Sequence, residues 1–159
     1  MSKIELSGRA PKDIKILAEK VALDVLKFMN QPLSLEVAIS FVSQKEIQRL
    51  NREIRGIDKV TDVLSFPSTE TKPGEIFDEN SEEVLFLRNE EGFIHFGDMA
   101  ICLDQTQRQA NEYCVTLEDE VKKLVIHSML HLMGYDHIED SDFEIMNKKE
   151  VELFEKIKI

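Results

Sequence analysis

Large apolar residues occupy every second position between residues 33 and 41, which is the period of a strand with one buried face. These positions are Leu33, Leu35, Val37, Ile39 and Phe41. Before this strand, residues 11–29 place apolar side chains at the intervals of an amphipathic helix: Ile14, Leu17, Val21, Val25 and Phe28. The pattern therefore predicts a helix followed directly by a half-buried strand.

Capping signals and apolar runs predict the remaining elements. Ser43, followed three residues later by Glu46, forms a capping box at the start of a short helix. A second box at Ser141 and Glu144 predicts a final helix that ends near Phe154. Further strands are expected at residues 4–6, 63–66 and 93–103, and a further helix from about residue 117 to residue 133.

Residues 124–132 are apolar around almost the whole circumference of that helix, which indicates a helix buried at the centre of the fold. A chain of 159 residues with 42% hydrophobic residues has the size of one domain and can form one core. We therefore predict a single α+β domain over residues 1–159. It consists of a small mixed β-sheet packed with about five helices, one of them central and buried.

Three of the four histidines fall within eleven residues. His127 and His131 are four residues apart on the predicted central helix, so they project from one face about 6 Å apart along its axis. Gly134 can end the helix in a left-handed conformation and allow the chain to return His137 to the other two. Three imidazoles with one open position are typical of catalytic zinc sites. We predict one divalent metal ion, expected to be Zn²⁺, with Ni²⁺ or another transition metal as alternatives.

The residue after the first histidine separates the candidate chemistries. The histidine and glycine spacing matches the long zinc signature of a peptidase superfamily, in which a glutamate follows the first histidine as general base. Ser128 occupies that position here and cannot accept a proton near neutral pH without a base of its own. The pattern therefore favours attack on an ester or phosphodiester over peptide hydrolysis.

Arg55 lies between the helix that begins at Ser43 and the strand at residues 63–66. A guanidinium at this junction can hold a phosphate with two parallel N–H donors. Arginines beside helix ends are also commonly solvated or paired with an acid, so local sequence alone leaves both interpretations open.

The chain resembles the YbeY family of bacterial ribosomal RNA maturation endoribonucleases. The matching residues are Leu50-Asn51 with Arg55 and Asp58, TDVLSFP at 61–67, GDMAIC at 97–102, and His127 with LHL at 130–132 and GYDH at 134–137. The resemblance implies a single-strand-specific, metal-dependent endoribonuclease that acts in maturation of the 3′ end of small-subunit (16S) rRNA and in ribosome quality control. It also implies that His127, His131 and His137 bind the metal and that Arg55 is the catalytic residue outside the ligand set.

Family members work with ribosomal partners, so the resemblance implies binding to rRNA and to small-subunit assembly proteins, including a ribosomal protein and an assembly GTPase. Ser128 departs from the family, which commonly has glycine there. Residues 68–91 depart more strongly, because they are longer than the usual connection and carry eight acids against Lys72 and Arg88. We expect an acidic surface insertion, either a solvated loop or a partly ordered hairpin through residues 83–87.

The net charge opposes RNA binding by general attraction, because 20 Lys and Arg against 31 Asp and Glu give −11. Affinity for RNA must come from a local basic groove, to which Arg55, Arg52 and Lys59 could contribute, or from ribosomal partners. Neither an export signal nor a membrane-spanning apolar run is present in the sequence, so we expect a cytoplasmic protein without membrane contact. Cys102 and Cys114 are expected to be reduced, semi-buried and outside the metal site.

Acidic residues close to the histidines are candidates to accept the second N–H of a ligand imidazole. We favour Asp136 over Glu139 and Asp140 as this acceptor. His95 lies far from the cluster in sequence and is expected to be structural.

Two functions from other classes stay open. One is a metal-dependent peptidase or amidase with an unidentified base, which would cleave peptides and ignore RNA. The other is a noncatalytic ribosome-assembly factor with a structural metal, which would unfold on loss of a ligand such as His131 and would never cut RNA.

Overall fold

The computed structural model describes residues 1–159, which form four strands and six helices. The strands are β1 (Lys3–Gly8), β2 (Leu35–Phe41), β3 (Val63–Pro67) and β4 (Ile94–Ile101). The helices are α1 (Lys12–Phe28), α2 (Gln44–Arg55), α3 (Glu82–Leu85), α4 (Leu103–Tyr113), α5 (Leu117–Leu132) and α6 (Asp140–Lys156). The predicted single α+β domain with a small mixed sheet is confirmed.

The sheet has the strand order β1-β2-β4-β3. β1 and β4 both pair with β2 in parallel, and β3 pairs with β4 in the antiparallel direction, with Ser65 opposite Met99. Strand β2 alternates buried and half-buried residues along its whole length, as its sequence predicts. It begins at Leu35 and not at Leu33, whose side chain is exposed.

The main core lies where α1 and α5 pack on each other and α5 packs on β3 and β4. Helix α1 contributes one apolar stripe to this core: Ile14, Leu17, Ala18, Val21, Ala22, Val25 and Leu26. Helix α5 is buried on almost every side from Leu124 to Leu132, interrupted only by half-buried His127 and His131. The predicted central helix is therefore confirmed. A second small cluster of Ile47, Leu64 and Cys102 lies under α2.

Two helix starts follow the sequence rules and one does not. Ser43 Oγ accepts a hydrogen bond from the backbone N–H of Glu46 at 3.1 Å, so the predicted cap of α2 is confirmed. Thr116 caps α5 in the same way through the N–H of Asp119. The box predicted at Ser141 is wrong, because α6 already begins at Asp140 and no side chain caps it.

Helix α4 lies where no helix was predicted. Its sequence, LDQTQRQANEY, is rich in polar residues, and Thr106 and Ala110 are its buried residues. A helix that buries so few side chains shows no apolar repeat for a sequence pattern to detect.

The acidic residues 68–91 are anchored at two points. Phe77 is buried in the main core, and its ring meets Phe96 edge-on at a centroid distance of 5.7 Å. Val84, in the single turn of α3, is buried there too. The hairpin alternative through residues 83–87 is wrong, because this stretch contains the helical turn and only an isolated bridge joins Arg88 to Ile94.

None of the helices is long and apolar enough to cross a bilayer. The two cysteines are free, but they are not both semi-buried as expected, because Cys102 is fully buried and Cys114 is exposed.

Candidate metal centre and its cleft

The three clustered histidines meet at one point of the structure. His127 and His131 lie on α5, and His137 follows in the irregular segment between α5 and α6. One ring nitrogen from each histidine lies within 4.8 Å of the corresponding nitrogens of the other two. The ring centroids are 4.6 Å apart for His127 and His131 and 5.3 Å apart for His131 and His137.

Two of the rings are oriented by hydrogen bonds at their Nδ1 atoms. Nδ1 of His127 lies 2.5 Å from Oε1 of Glu150 on α6, and Nδ1 of His131 lies 2.9 Å from the carbonyl oxygen of Tyr135. Because both partners are acceptors, each Nδ1 carries a proton and donates it, which leaves Nε2 as the ring nitrogen that can bind an ion. These two Nε2 atoms face each other at 3.1 Å.

This donor set fits a divalent metal ion. Two ring nitrogens that face each other at this distance need a proton or a metal cation between them, and metal-bound histidines commonly donate their other N–H to a carboxylate or a carbonyl. Partial burial is the largest effect that lowers the pKa of His131 to about 4, and the charge of the nearby His127 is the next largest. His131 is therefore neutral at neutral pH, which is the form that binds metals.

Gly134 directs the chain from α5 back toward the cluster. Its φ of +93° lies in the left-handed region, and a Cβ at this position would lie 1.8 Å from the carbonyl oxygen of Thr71. The turn predicted at Gly134 is therefore confirmed. The acidic residues 68–91 also pass directly against the segment that carries His137.

Ser128 contacts strand β3. Its side chain is fully buried, and its Oγ is 2.6 Å from Oγ of Ser65 on β3. The position that holds the general base in the peptidase signature therefore carries a hydroxyl that links α5 to the sheet.

The histidines line an open cleft of about 730 Å³ that also receives Arg55. Arg55 is the last residue of α2, is exposed, and makes no ion pair or side-chain hydrogen bond. Arg52, by contrast, pairs with Asp58 and does not line the cleft, and neither does Lys59. The second cationic side chain along the cleft is Lys123, which sequence reasoning did not single out.

None of the acids proposed from sequence makes a hydrogen bond to an imidazole. The Asp136 carboxylate lines the cleft but accepts the N–H of Ile138 at 3.4 Å, so its role as an acceptor for a ligand imidazole stays a prediction. Glu139 precedes α6 and Asp140 begins it, both exposed. Glu150 was missed because it lies 23 residues after His127, where no spacing rule connects the two. His95 lies on β4 outside the cleft, bonded to Asp98.

These features define a class of protein: a small α+β domain whose central helix presents two histidines of a possible three-histidine metal site to an open cleft. A family model described as endoribonuclease YbeY matches residues 3–158. An endoribonuclease YbeY of Thermoanaerobacter sp. (strain X514) is 41% identical over 151 residues, covering 92% of this chain and 89% of its own. An endoribonuclease YbeY of Clostridium tetani is 37% identical over 153 residues, covering 95% and 92%.

The chain belongs to the endoribonuclease YbeY family. Its fold is similar to the solution structure of TM1509 from Thermotoga maritima, with a TM-score of 0.56 and 29% identity over 96% of this chain and 90% of that one.

Proposed function

We propose that this chain is a metal-dependent endoribonuclease that cleaves single-stranded RNA and matures the 3′ end of small-subunit rRNA. The observation that carries the proposal is the meeting of three imidazoles and an unpaired guanidinium in one open cleft, in a chain whose relatives are named endoribonucleases. The RNA substrate follows from those names, and the rRNA end and a role in ribosome quality control follow from the family resemblance.

His127, His131 and His137 would hold the ion through one ring nitrogen each. A divalent ion with an open position supplies Lewis acidity at a phosphate, and Zn²⁺ suits three imidazoles, as does Ni²⁺. Glu150 and the carbonyl of Tyr135 fix the rings of His127 and His131 before any ion arrives. This orientation limits the rearrangement that binding requires.

Arg55 would act on the phosphate. Because no acid in the protein pairs with its guanidinium, its N–H donors are free to bind the non-bridging oxygens of a phosphodiester. The same donors offset the negative charge that grows as the bond breaks. Asp136, which also lines the cleft, would help to orient His137.

The acidic exterior indicates how the RNA reaches this cleft. A net charge of −11 repels a polyanion at long range, so the two cleft cations must act at contact distance. We therefore include small-subunit assembly proteins, among them a ribosomal protein and an assembly GTPase, as partners that deliver rRNA. With such partners, we expect the protein to act in the cytoplasm.

The test combines elemental analysis with cleavage of a precursor rRNA fragment by the wild type, Arg55→Ala and Arg52→Ala. Arg52 is the matched control because it lies on the same helix, is exposed and already pairs with Asp58. We expect equal metal content in all three proteins and a loss of about 100-fold in cleavage rate for Arg55→Ala alone. A chelator should abolish cleavage by the wild type.

Other results would identify other functions. Equal cleavage by wild type and Arg55→Ala would remove the arginine from the mechanism. A metal-loaded protein that cleaves peptides and leaves RNA intact would be a peptidase. A protein that cleaves neither, and that unfolds on His131→Ala, would be an assembly factor with a structural metal.

A further inference from the structure

The histidine cleft continues along α5 beyond the metal site. Lys123 precedes His127 by four residues, which is about 6 Å along a helix axis, and Glu120 lies seven residues before His127. Tyr113, the last residue of α4, lines the same cleft. Lys123 and Glu120 therefore lie one to two turns of α5 from His127, Tyr113 reaches the same cleft from α4, and none of the three has a role at the metal site described above.

Tyr113 presents an aromatic ring to this part of the cleft. The residue is 58% exposed, whereas Tyr135, the second tyrosine of the chain, is 5% exposed. Helix α4 ends immediately after Tyr113, because Cys114 adopts a left-handed conformation with a φ of +56°. Lys123 Nζ lies 5.3 Å from the ring centroid, and with more than half of the residue exposed the ring has free surface for a further partner.

Glu120 places a buried carboxylate beside Lys123. The Glu120 side chain is 1% exposed, and its Oε1 has no hydrogen-bond partner. Lys123 Nζ lies 3.8 Å from that oxygen. Because a buried carboxylate favours a nearby counter-charge, Glu120 attracts the Lys123 ammonium, which lies beside the Tyr113 ring while the lysine side chain stays 59% exposed and accessible to a ligand.

We propose that Tyr113 and Lys123 form a nucleotide subsite next to the metal site, in which the ring stacks on an unpaired nucleobase and the ammonium binds the adjoining phosphate. This inference rests on the proposed function, because it names how the same cleft holds its RNA. Aromatic rings bind the faces of splayed bases in single strands, whereas bases within a duplex have their faces covered by stacking neighbours. The subsite therefore selects single-stranded over paired RNA.

Tyrosine fluorescence reports this contact directly, because the chain has two tyrosines and no tryptophan. The probe is a single-stranded 2′-O-methyl tetranucleotide, whose integrity is checked after the titration. An abasic tetramer with the same number of phosphates serves as the matched probe. Dissociation constants come from the anisotropy of labelled versions of both, measured with full-length wild type, Tyr113→Phe, Tyr113→Ala and Phe86→Ala.

We expect the base-containing probe to quench the wild-type fluorescence. Tyr113→Phe should retain the affinity and lose most of the quenching, because phenylalanine stacks equally well but leaves only Tyr135 to emit. Tyr113→Ala should weaken binding of the base-containing probe about 5- to 100-fold and leave the abasic probe nearly unchanged. Phe86→Ala, which removes an 89% exposed ring outside the cleft, should match the wild type.

Two results would overturn the subsite: Tyr113→Ala equal to the wild type, or an equal loss of affinity for both probes, which would reduce Tyr113 to a support for Lys123. If either result were obtained while the wild type still cleaved RNA, the proposed function would stand without the subsite. Base-dependent binding by a chain that never cleaves RNA would keep the subsite and remove the nuclease.

Discussion

Oε1 of Glu150 lies 2.5 Å from Nδ1 of His127, so α6 fixes the orientation of an imidazole carried by α5. The two residues are 23 positions apart, and the packing of α6 on α5 brings them together. The carboxylate selects the tautomer of His127 whose Nε2 is free to bind an ion.

Replacement of Glu150 should weaken metal binding without unfolding the domain. We expect Glu150→Ala to raise the dissociation constant for Zn²⁺ about 10- to 100-fold, and Glu150→Gln to raise it less, because the amide oxygen still accepts the Nδ1 proton. Competition with a chromogenic chelator measures both constants. Glu155→Gln, an exposed neighbour on the same helix, is the control, and equal affinities for all the variants would refute the positioning role.

The bond between Ser65 and Ser128 should contribute to stability. Ser128→Ala removes a buried hydroxyl whose Oγ lies 2.6 Å from that of Ser65, at an expected cost of about 1 kcal/mol in the free energy of unfolding. A double-mutant cycle with Ser65→Ala in urea should give a coupling energy of about 0.5–1.5 kcal/mol. Strictly additive effects would mean that the two hydroxyls do not stabilise each other.

Two glycines with positive φ should respond very differently to alanine. Gly134→Ala places a Cβ 1.8 Å from the Thr71 carbonyl oxygen, so we expect a loss of about 3 kcal/mol or more in unfolding free energy, together with weaker metal binding. Gly56→Ala introduces the same kind of backbone strain at a φ of +71° but meets no atom within 4 Å. Its cost should be about 1 kcal/mol. Denaturant unfolding of both variants separates the cost of the steric clash from the cost of the backbone strain. Equal losses of unfolding free energy would show that the Thr71 backbone moves away from the added Cβ.

His95 should give the protein a small pH dependence away from the cleft. Burial lowers the pKa of His95, but hydrogen bonds and charge interactions with Asp98 and Glu36 outweigh it, so the net pKa is raised above 6.5. The folded state therefore binds the proton more tightly than the unfolded state. The stabilisation is complete below pH 6.5 and is lost as the pH rises through the higher folded pKa.

Because the His95 side chain is 40% exposed, solvent screening keeps this contribution below about 1 kcal/mol. Unfolding free energies of wild type and His95→Gln, measured from pH 5 to pH 9 at fixed ionic strength, should converge at the alkaline end. A difference in unfolding free energy that grows with pH would contradict the raised pKa of His95. The NMR titration of the His95 ring gives the folded pKa independently.

The parts of the fold with a strong local pattern could be predicted from sequence. The alternation in β2, the cap at Ser43 and the apolar circumference of α5 each have one local cause, and the structure agrees with all three. Helix α4 has no such pattern, because it buries Thr106 and Ala110, and its other residues are polar between Leu103 and Tyr113 at its two ends. The start of α6 was misplaced because a capping box at Ser141 is possible in sequence but is not used.

The residues of the site likewise divide into those that a local pattern predicts and those that it does not. The spacing of His127, His131 and His137 with a glycine turn predicts their convergence, since one helix and one short segment carry all three. Glu150 reaches His127 from α6 and Tyr113 reaches the cleft from α4, and only tertiary packing brings those helices to α5. No spacing rule covers such contacts, so these residues become visible only in the folded chain.

The three imidazoles differ in how firmly the fold holds them. His127 and His131 belong to α5, the most deeply buried helix, whereas His137 is exposed on the short irregular segment beyond Gly134. The position of the third ring therefore depends on the short segment beyond Gly134, so substitutions in that segment would change the affinity of the three-histidine site for an ion and leave the two rings on α5 in place.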